Sequence, residues 1–206
     1  MDKIQMELLK QVADIHEVPQ GAYNFRVNGQ GAARNTTEHI DIVTKEDKQG
    51  IDIIIKPGTK NESVHIPVVL SQSGLTDMVY NDFYIGEDSD VTIVAGCGIH
   101  NGGAEKAQHD GIHSFFVGKN ARVKYIEKHY GSGEGSGERV LNPQTIIALA
   151  EGSYMEMDTV QIHFKIRLRI LGAVCHDFLP DHKRRAVCQL RLGLPYGGIH
   201  PLDLNG

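Results

Sequence analysis

One thiol and four imidazoles crowd into the stretch from Cys97 to His129: Cys97, His100, His109, His113 and His129. Thiolate and imidazole are donors for soft or borderline metals, so the set points to iron, an iron–sulfur cluster or zinc rather than magnesium or calcium. Cys97 stands in Ala95-Gly96-Cys97-Gly98-Ile99-His100, where the flanking glycines read as room for a ligand or backbone beside the thiol, or as a tight corner. His109 and His113 are four apart, but Asp110-Gly111 between them reads as a turn, so the helical zinc-protease pattern does not apply. His109, His113, Glu127 and His129 fit a cupin-type metal site only loosely. The competing reading packs Cys97 as a small hydrophobe and leaves the histidines in polar loops. No phosphate-binding loop is present, and the carboxylates Glu87 and Asp88 fall in a solvated turn with no acid–base role.

The elements that position these groups are legible as a repeat. Ile85-Gly86-Glu87-Asp88-Ser89-Asp90-Val91-Thr92-Ile93 recurs as Val117-Gly118-Lys119-Asn120-Ala121-Arg122-Val123-Lys124-Tyr125. It recurs again, after the same interval, as Leu149-Ala150-Glu151-Gly152-Ser153-Tyr154-Met155-Glu156-Met157. Each unit reads as a strand end, a polar turn, a small residue and a new alternating strand, the mark of units that bury their cores by stacking. The prediction is an all-β parallel solenoid rather than a sandwich of hairpins. With strands of about 5 residues and turns of about 4, three sides and three corners use roughly 27 residues, which leaves one longer loop per turn. The Gly-rich stretches 101–111 and 131–137 are assigned to that loop. In this register Cys97, His129 and Gln161 occupy equivalent positions in successive turns, about 4.8 Å apart, a spacing that a bound metal could bridge.

Before the solenoid, Ile4, Leu8, Leu9, Val12 and Ile15 recur at near-helical spacing, predicting an amphipathic helix over residues 1–16 that Pro19 and Gly21 end. The 206 residues suit one domain, divided into a helix and linker (1–20), a β core (21–162) and a tail (163–206). A net charge of −5 argues against a nucleic-acid partner or a polybasic membrane anchor. No apolar run reaches the roughly 18 residues that span a bilayer, and Met1-Asp2-Lys3-Ile4-Gln5 lacks a signal-peptide core, so a cytoplasmic location is expected. The tail breaks with the rest. Residues 1–162 carry 14 Lys and Arg against 23 Asp and Glu, whereas residues 163–206 carry 7 against 3 and hold Cys175 and Cys188. The repeat stops at Asp181-His182-Lys183-Arg184-Arg185, and the tail reads as an altered continuation, out of frame or disordered.

Several strings resemble the short form of the SufB/SufD family, the scaffold of SUF-type iron–sulfur cluster assembly. They are Lys56-Pro57-Gly58-Thr59-Lys60-Asn61-Glu62-Ser63-Val64-His65-Ile66-Pro67, Val79-Tyr80-Asn81-Asp82-Phe83-Tyr84-Ile85-Gly86, Ala95-Gly96-Cys97-Gly98-Ile99-His100-Asn101, Gln108-His109-Asp110-Gly111-Ile112-His113 and Val117-Gly118-Lys119-Asn120-Ala121. The likeness runs from about Val12 to Ile162. It implies a right-handed parallel β-helix and a non-enzymatic scaffold carrying iron or a transient iron–sulfur cluster, with none tightly bound. The implied partners are a SufC-like ABC ATPase, a SufB/SufD-like paralogue or a second copy, and a cysteine desulfurase that delivers sulfur. Cys97, alone among the thiols in the family-like region, is the expected sulfur acceptor or cluster ligand, with His129, His100, His109 and His113 as further metal ligands. The alternatives are a purely structural SufD-like subunit without its own cluster site, and a stand-alone metal enzyme of β-helix or cupin type.

Overall fold

The computed structural model describes residues 1–13, 19–162, 166–168, 173–177, 187–193 and 200–202, and the side-chain surroundings of the described residues up to 160. Among the described residues one helix, α1 (Lys3–Ala13), precedes sixteen strands. Its start is a capping box: the Asp2 carboxylate accepts from the amide of Gln5 at 2.9 Å, and the Gln5 side chain accepts from the amide of Asp2 at 3.0 Å. Leu8, Leu9, Val12 and Ala13 form its buried face. The expected last turn of the helix, at residues 14–16, lies outside the described residues.

The strands are β1 (Ala22–Val27), β2 (Gln30–Asn35), β3 (Ile40–Thr44), β4 (Gly50–Ile55), β5 (Lys60–Leu70), β6 (Thr76–Ile85), β7 (Asp90–His100) and β8 (Ala107–Val117). They continue with β9 (Arg122–Ser132), β10 (Arg139–Leu141), β11 (Gln144–Leu149), β12 (Tyr154–Ile162), β13 (Ile166–Leu168), β14 (Ala173–Asp177), β15 (Val187–Gly193) and β16 (His200–Leu202). They form two sheets, one ordered β16-β15-β12-β9-β7-β5-β1-β2 and the other β13-β10-β8-β6-β4-β3 with β11 beside β8. The pairings β5–β7–β9–β12 and β4–β6–β8 are all parallel, so the chain winds back and forth between the sheets as a parallel β-solenoid. Antiparallel pairs occur at its ends, where β2 folds back on β1, β3 on β4, and β16 on β15.

The repeat is right in period but wrong in cross-section. In place of the three short sides that the sequence predicts, the turn has two, each a strand of 10 or 11 residues in β6 to β9. The long strands also absorb part of the expected loops. Ala107 to Gly111 belong to β8, so Asp110-Gly111 is extended strand, and the connection from β7 shortens to residues 101–106. Asp88 and Asn120 hold the turn positions with φ of 56° each, and Gly152 follows at 71°. Asn120 donates to the Asp88 carboxylate at 3.1 Å, a side-chain rung between successive corners.

Inward residues fill the space between the sheets in two zones. Near the 86–89 corner the core is apolar, with Phe83 and Phe115 stacked at 4.4 Å between ring centroids. Toward the opposite corner the inward positions turn polar. Parallel strands β13, β14 and β15 pair with β10, β11 and β12, with Tyr154 facing Val187, one position beyond where the constant interval would put its partner. Asp181 to Arg185, where the sequence pattern stops, lie outside the described residues. Among the described residues no helix is long and apolar enough to cross a membrane.

Candidate functional site

Alternation along three strands brings the polar zone together. On β7, Ala95, Cys97 and Ile99 point inward; on β8, His109, Gly111 and His113; on β9, Tyr125, Glu127 and His129. Cys97, His109, Gly111, His113, Glu127 and His129 line one cavity of about 20 Å³. That is room for a single water-sized group. The expected stack is present, since Cys97 faces His129 and His129 faces Gln161 in the two ladders. His100 is not part of it: half-buried at the end of β7, it bonds the Ser132 hydroxyl at 3.1 Å.

The glycines beside Cys97 admit close approach of backbone, as one expected reading has it, but on the outer face of the strand and not beside the thiol. Gly96 and Gly98 face outward, against α1. A Cβ on Gly96 would stand 2.5 Å from the Val12 carbonyl oxygen, and one on Gly98 would stand 3.0 Å from the Leu8 Cβ. They clear the seat of the helix, not a place for a ligand or a corner.

Two hydrogen-bonded chains organise the interior. Arg26 donates from Nε to both Asp77 carboxylate oxygens, at 3.1 and 3.0 Å, and Asp77 accepts from His109 Nδ1 at 3.2 Å. In the second chain Tyr125 donates to Glu127 at 3.0 Å, so its oxygen accepts from His113 Nδ1, 2.8 Å away. Glu127 lies 3.6 Å from His129 Nε2. His109 and His113 both donate from Nδ1, so their Nε2 atoms are turned away from Asp77 and Tyr125. The two Nε2 atoms converge above Gly111, where a Cβ would meet them at 3.2 and 3.3 Å.

Burial sets the charge states. It pushes the Cys97 thiol well above its ordinary range, helped by the negative charge of Asp77 and Glu127, so the thiol is protonated at neutral pH. Burial also drives His113 down to about 4 against the opposing pull of Glu127, which leaves a neutral ring. Asp77 goes the other way: burial would raise it, but hydrogen bonds from His109 and Arg26 outweigh that and hold it at about 2.

The site therefore collects thiol, imidazole and carboxylate in a buried interior without assembling them into a coordination shell. Among the described residues no three His, Cys, Asp or Glu side chains stand where they could hold a metal ion. The donor types suit iron or zinc, but the thiol carries its proton, and a cavity of about 20 Å³ admits one atom-sized guest rather than a cluster. The loose cupin-like set of His109, His113, Glu127 and His129 does converge here, on parallel strands of a solenoid.

Asp77, Asn81 and Tyr125 belong to this network, and the motifs in the sequence do not single them out. The register holds the signal for two of them, because the interval that pairs Cys97 with His129 also pairs Asp77 with His109 and Asn81 with His113.

Fold and site together define a parallel β-solenoid with a buried Cys/His/carboxylate cluster in its interior. Comparison with protein-family models, curated proteins and solved structures found no match to the chain.

Proposed function

We propose that this chain is a scaffold subunit of SUF-type iron–sulfur cluster assembly, with iron and sulfur as cargo. The observation that carries the reading is the convergence of Cys97, His109, His113, Glu127 and His129 on one interior cavity of a parallel solenoid. The strings that resemble the SufB/SufD family supply the strands that build it. A cavity of about 20 Å³ has room for one atom-sized guest, so on this reading a complete cluster is built with surface from a paralogue or a second copy. Energy for assembly comes, on this reading, from a SufC-like ATPase, and sulfur from a cysteine desulfurase.

One observation favours the second reading, a structural SufD-like partner without its own cluster site. Cys97 is buried to 3% exposure with its thiol held protonated, the state of a packed cysteine rather than a nucleophile. Anaerobic reconstitution with ferrous iron and sulfide, read by visible absorption and iron content, separates the two. A stoichiometric signal lost in Cys97→Ser supports the scaffold with its own site. Equal signals in both proteins, or none, together with co-purification of the ATPase, support the structural partner. Absence of both iron binding and ATPase capture removes the basis for both readings.

A further inference from the structure

The N-terminal end of the solenoid carries a second and larger concavity of about 580 Å³, within the size range of small-molecule sites. The β1–β2 hairpin forms one wall, with Arg26 and Arg34, and the β3–β4 turn forms the other, with Lys45 and Lys48. Its apolar floor is Ile51, Ile66, Val68 and Val79.

The cations in the walls each have partners within the chain. Arg26 spends Nε on Asp77, and Nη2 on Asp77 at 2.7 Å and the Gln49 side chain at 2.9 Å. Arg34 donates from Nε to Asn24 at 2.9 Å and from Nη1 to the Ile42 carbonyl at 3.2 Å. No described residue accepts from Arg26 Nη1 or Arg34 Nη2, so each guanidinium has N–H groups to spare. Lys45 is tethered by Asp52, and by Asp82 at 2.6 Å. Lys48 lies over the Tyr80 ring, 4.8 Å from its centroid.

The acids that orient these cations stand behind them. Asp77, Asp52 and Asp82 are not in the wall of the concavity; the carboxylates that are, Glu46 and Asp47, sit on the exposed β3–β4 turn. A purely structural role, knitting the terminal hairpins to the first turn of the solenoid, accounts for Arg26–Asp77 and for Lys45. It leaves without a task the spare donors of two guanidinium groups beside an apolar floor. A guanidinium fork matches the oxygens of a carboxylate or phosphate, and a floor of branched aliphatic side chains matches a hydrocarbon body.

We propose that this concavity binds a small organic anion, a carboxylate or phosphate monoester on an aliphatic body, with its charge on Arg26 and Arg34 and its body on Ile51, Ile66, Val68 and Val79. The proposal does not rest on the iron–sulfur reading, although Ile66 and Val68 also line the interior cavity. Titration calorimetry on the full chain tests it with hexanoate, hexyl phosphate and, as the uncharged control, hexanol. Saturable binding of at least one anion is expected, with hexanol weaker by roughly tenfold or more and the anion weakened by roughly tenfold in Arg34→Gln. The tighter anion identifies the head group the site takes. Failure of both anions to saturate, equal binding of hexanol, or indifference to Arg34→Gln at an unchanged thermal midpoint overturns the proposal. If Arg34→Gln lowers the thermal midpoint, Arg34→Lys decides, since it keeps the charge and loses the fork: unchanged affinity there also overturns it.

Discussion

Cys97 and His129 face each other across the β7–β9 ladder, both pointing into the solenoid, with the backbone of Gln161 continuing the column on β12. The thiol is closed off on the other side of its strand by α1, which rests on Gly96 and Gly98. Iodoacetamide should therefore label Cys97 in the native protein orders of magnitude more slowly than in urea, as read by peptide-resolved mass spectrometry. Because the folded thiol titrates above its ordinary range, its contribution to stability is full below about pH 8.5 and fades as pH climbs through the folded value. Native labelling as fast as in urea would sink the buried-thiol picture.

Gly96→Ala tests how α1 is seated. The added methyl would meet the Val12 carbonyl at 2.5 Å and the Lys128 carbonyl at 2.6 Å, both backbone atoms that cannot swing aside. The helix should lift from β7, exposing Leu8, Leu9 and Val12, at a cost of about 1–3 kcal/mol by the usual scale of overpacking. Limited proteolysis within Lys3–Ala13 should accelerate while the strand signal in circular dichroism is retained. Unchanged proteolysis would mean that the helix tolerates the displacement.

The parts of this fold that are legible in the sequence are those governed by period. The constant interval from Ile85 to Val117 to Leu149 dictates the solenoid, the turns at Asp88 and Asn120, and the Cys97–His129 pairing, because a parallel stack forces equivalent residues into one column. Cross-section is not legible, since alternation along β8 carries polar His109 and His113 inward and so looks like loop when inward is assumed to mean apolar. The same assumption hides β6, whose inward positions include Asp77 and Asn81. Gly96 and Gly98 mislead for a related reason: a glycine records that something comes close, and only the strand's pleat tells from which side.

Phe83 and Phe115 lie in one inward column of β6 and β8 and stack with an interplanar angle of 3°. Tyr125 from the other sheet meets Phe115 edge-on at 5.0 Å, so Phe115 joins the two sheets across the core. Phe115→Ala should cost about 3–5 kcal/mol in urea unfolding, whereas Phe116→Ala, on the exposed outer face next to it, should cost under about 1 kcal/mol. Equal losses at the two positions would contradict the inward–outward assignment of β8.

Acid should unfold the protein through its polar interior. His113 is neutral when folded and titrates at about 4, whereas an unfolded histidine titrates near 6.5, so between those values the unfolded chain takes up a proton that the native chain refuses. Its contribution is present above pH 6.5 and lost as pH falls through about 4, on the order of 3 kcal/mol for a fully buried ring. The groups bearing on it are Glu127, which favours its charge, His109 and His129, which oppose it, and Asp82. Asp77 adds a second, lower window, since a carboxylate held at about 2 stabilises the fold above its ordinary 3.8 and stops doing so as pH drops through 2. Urea midpoints measured from pH 7 to pH 2 should fall most steeply between 6.5 and 4. His113→Gln keeps a donor for the Tyr125 hydroxyl but has no proton to gain, so it should flatten that segment and leave the lower one in place. A slope unchanged by His113→Gln would assign the acid sensitivity to other groups and remove His113 from the account.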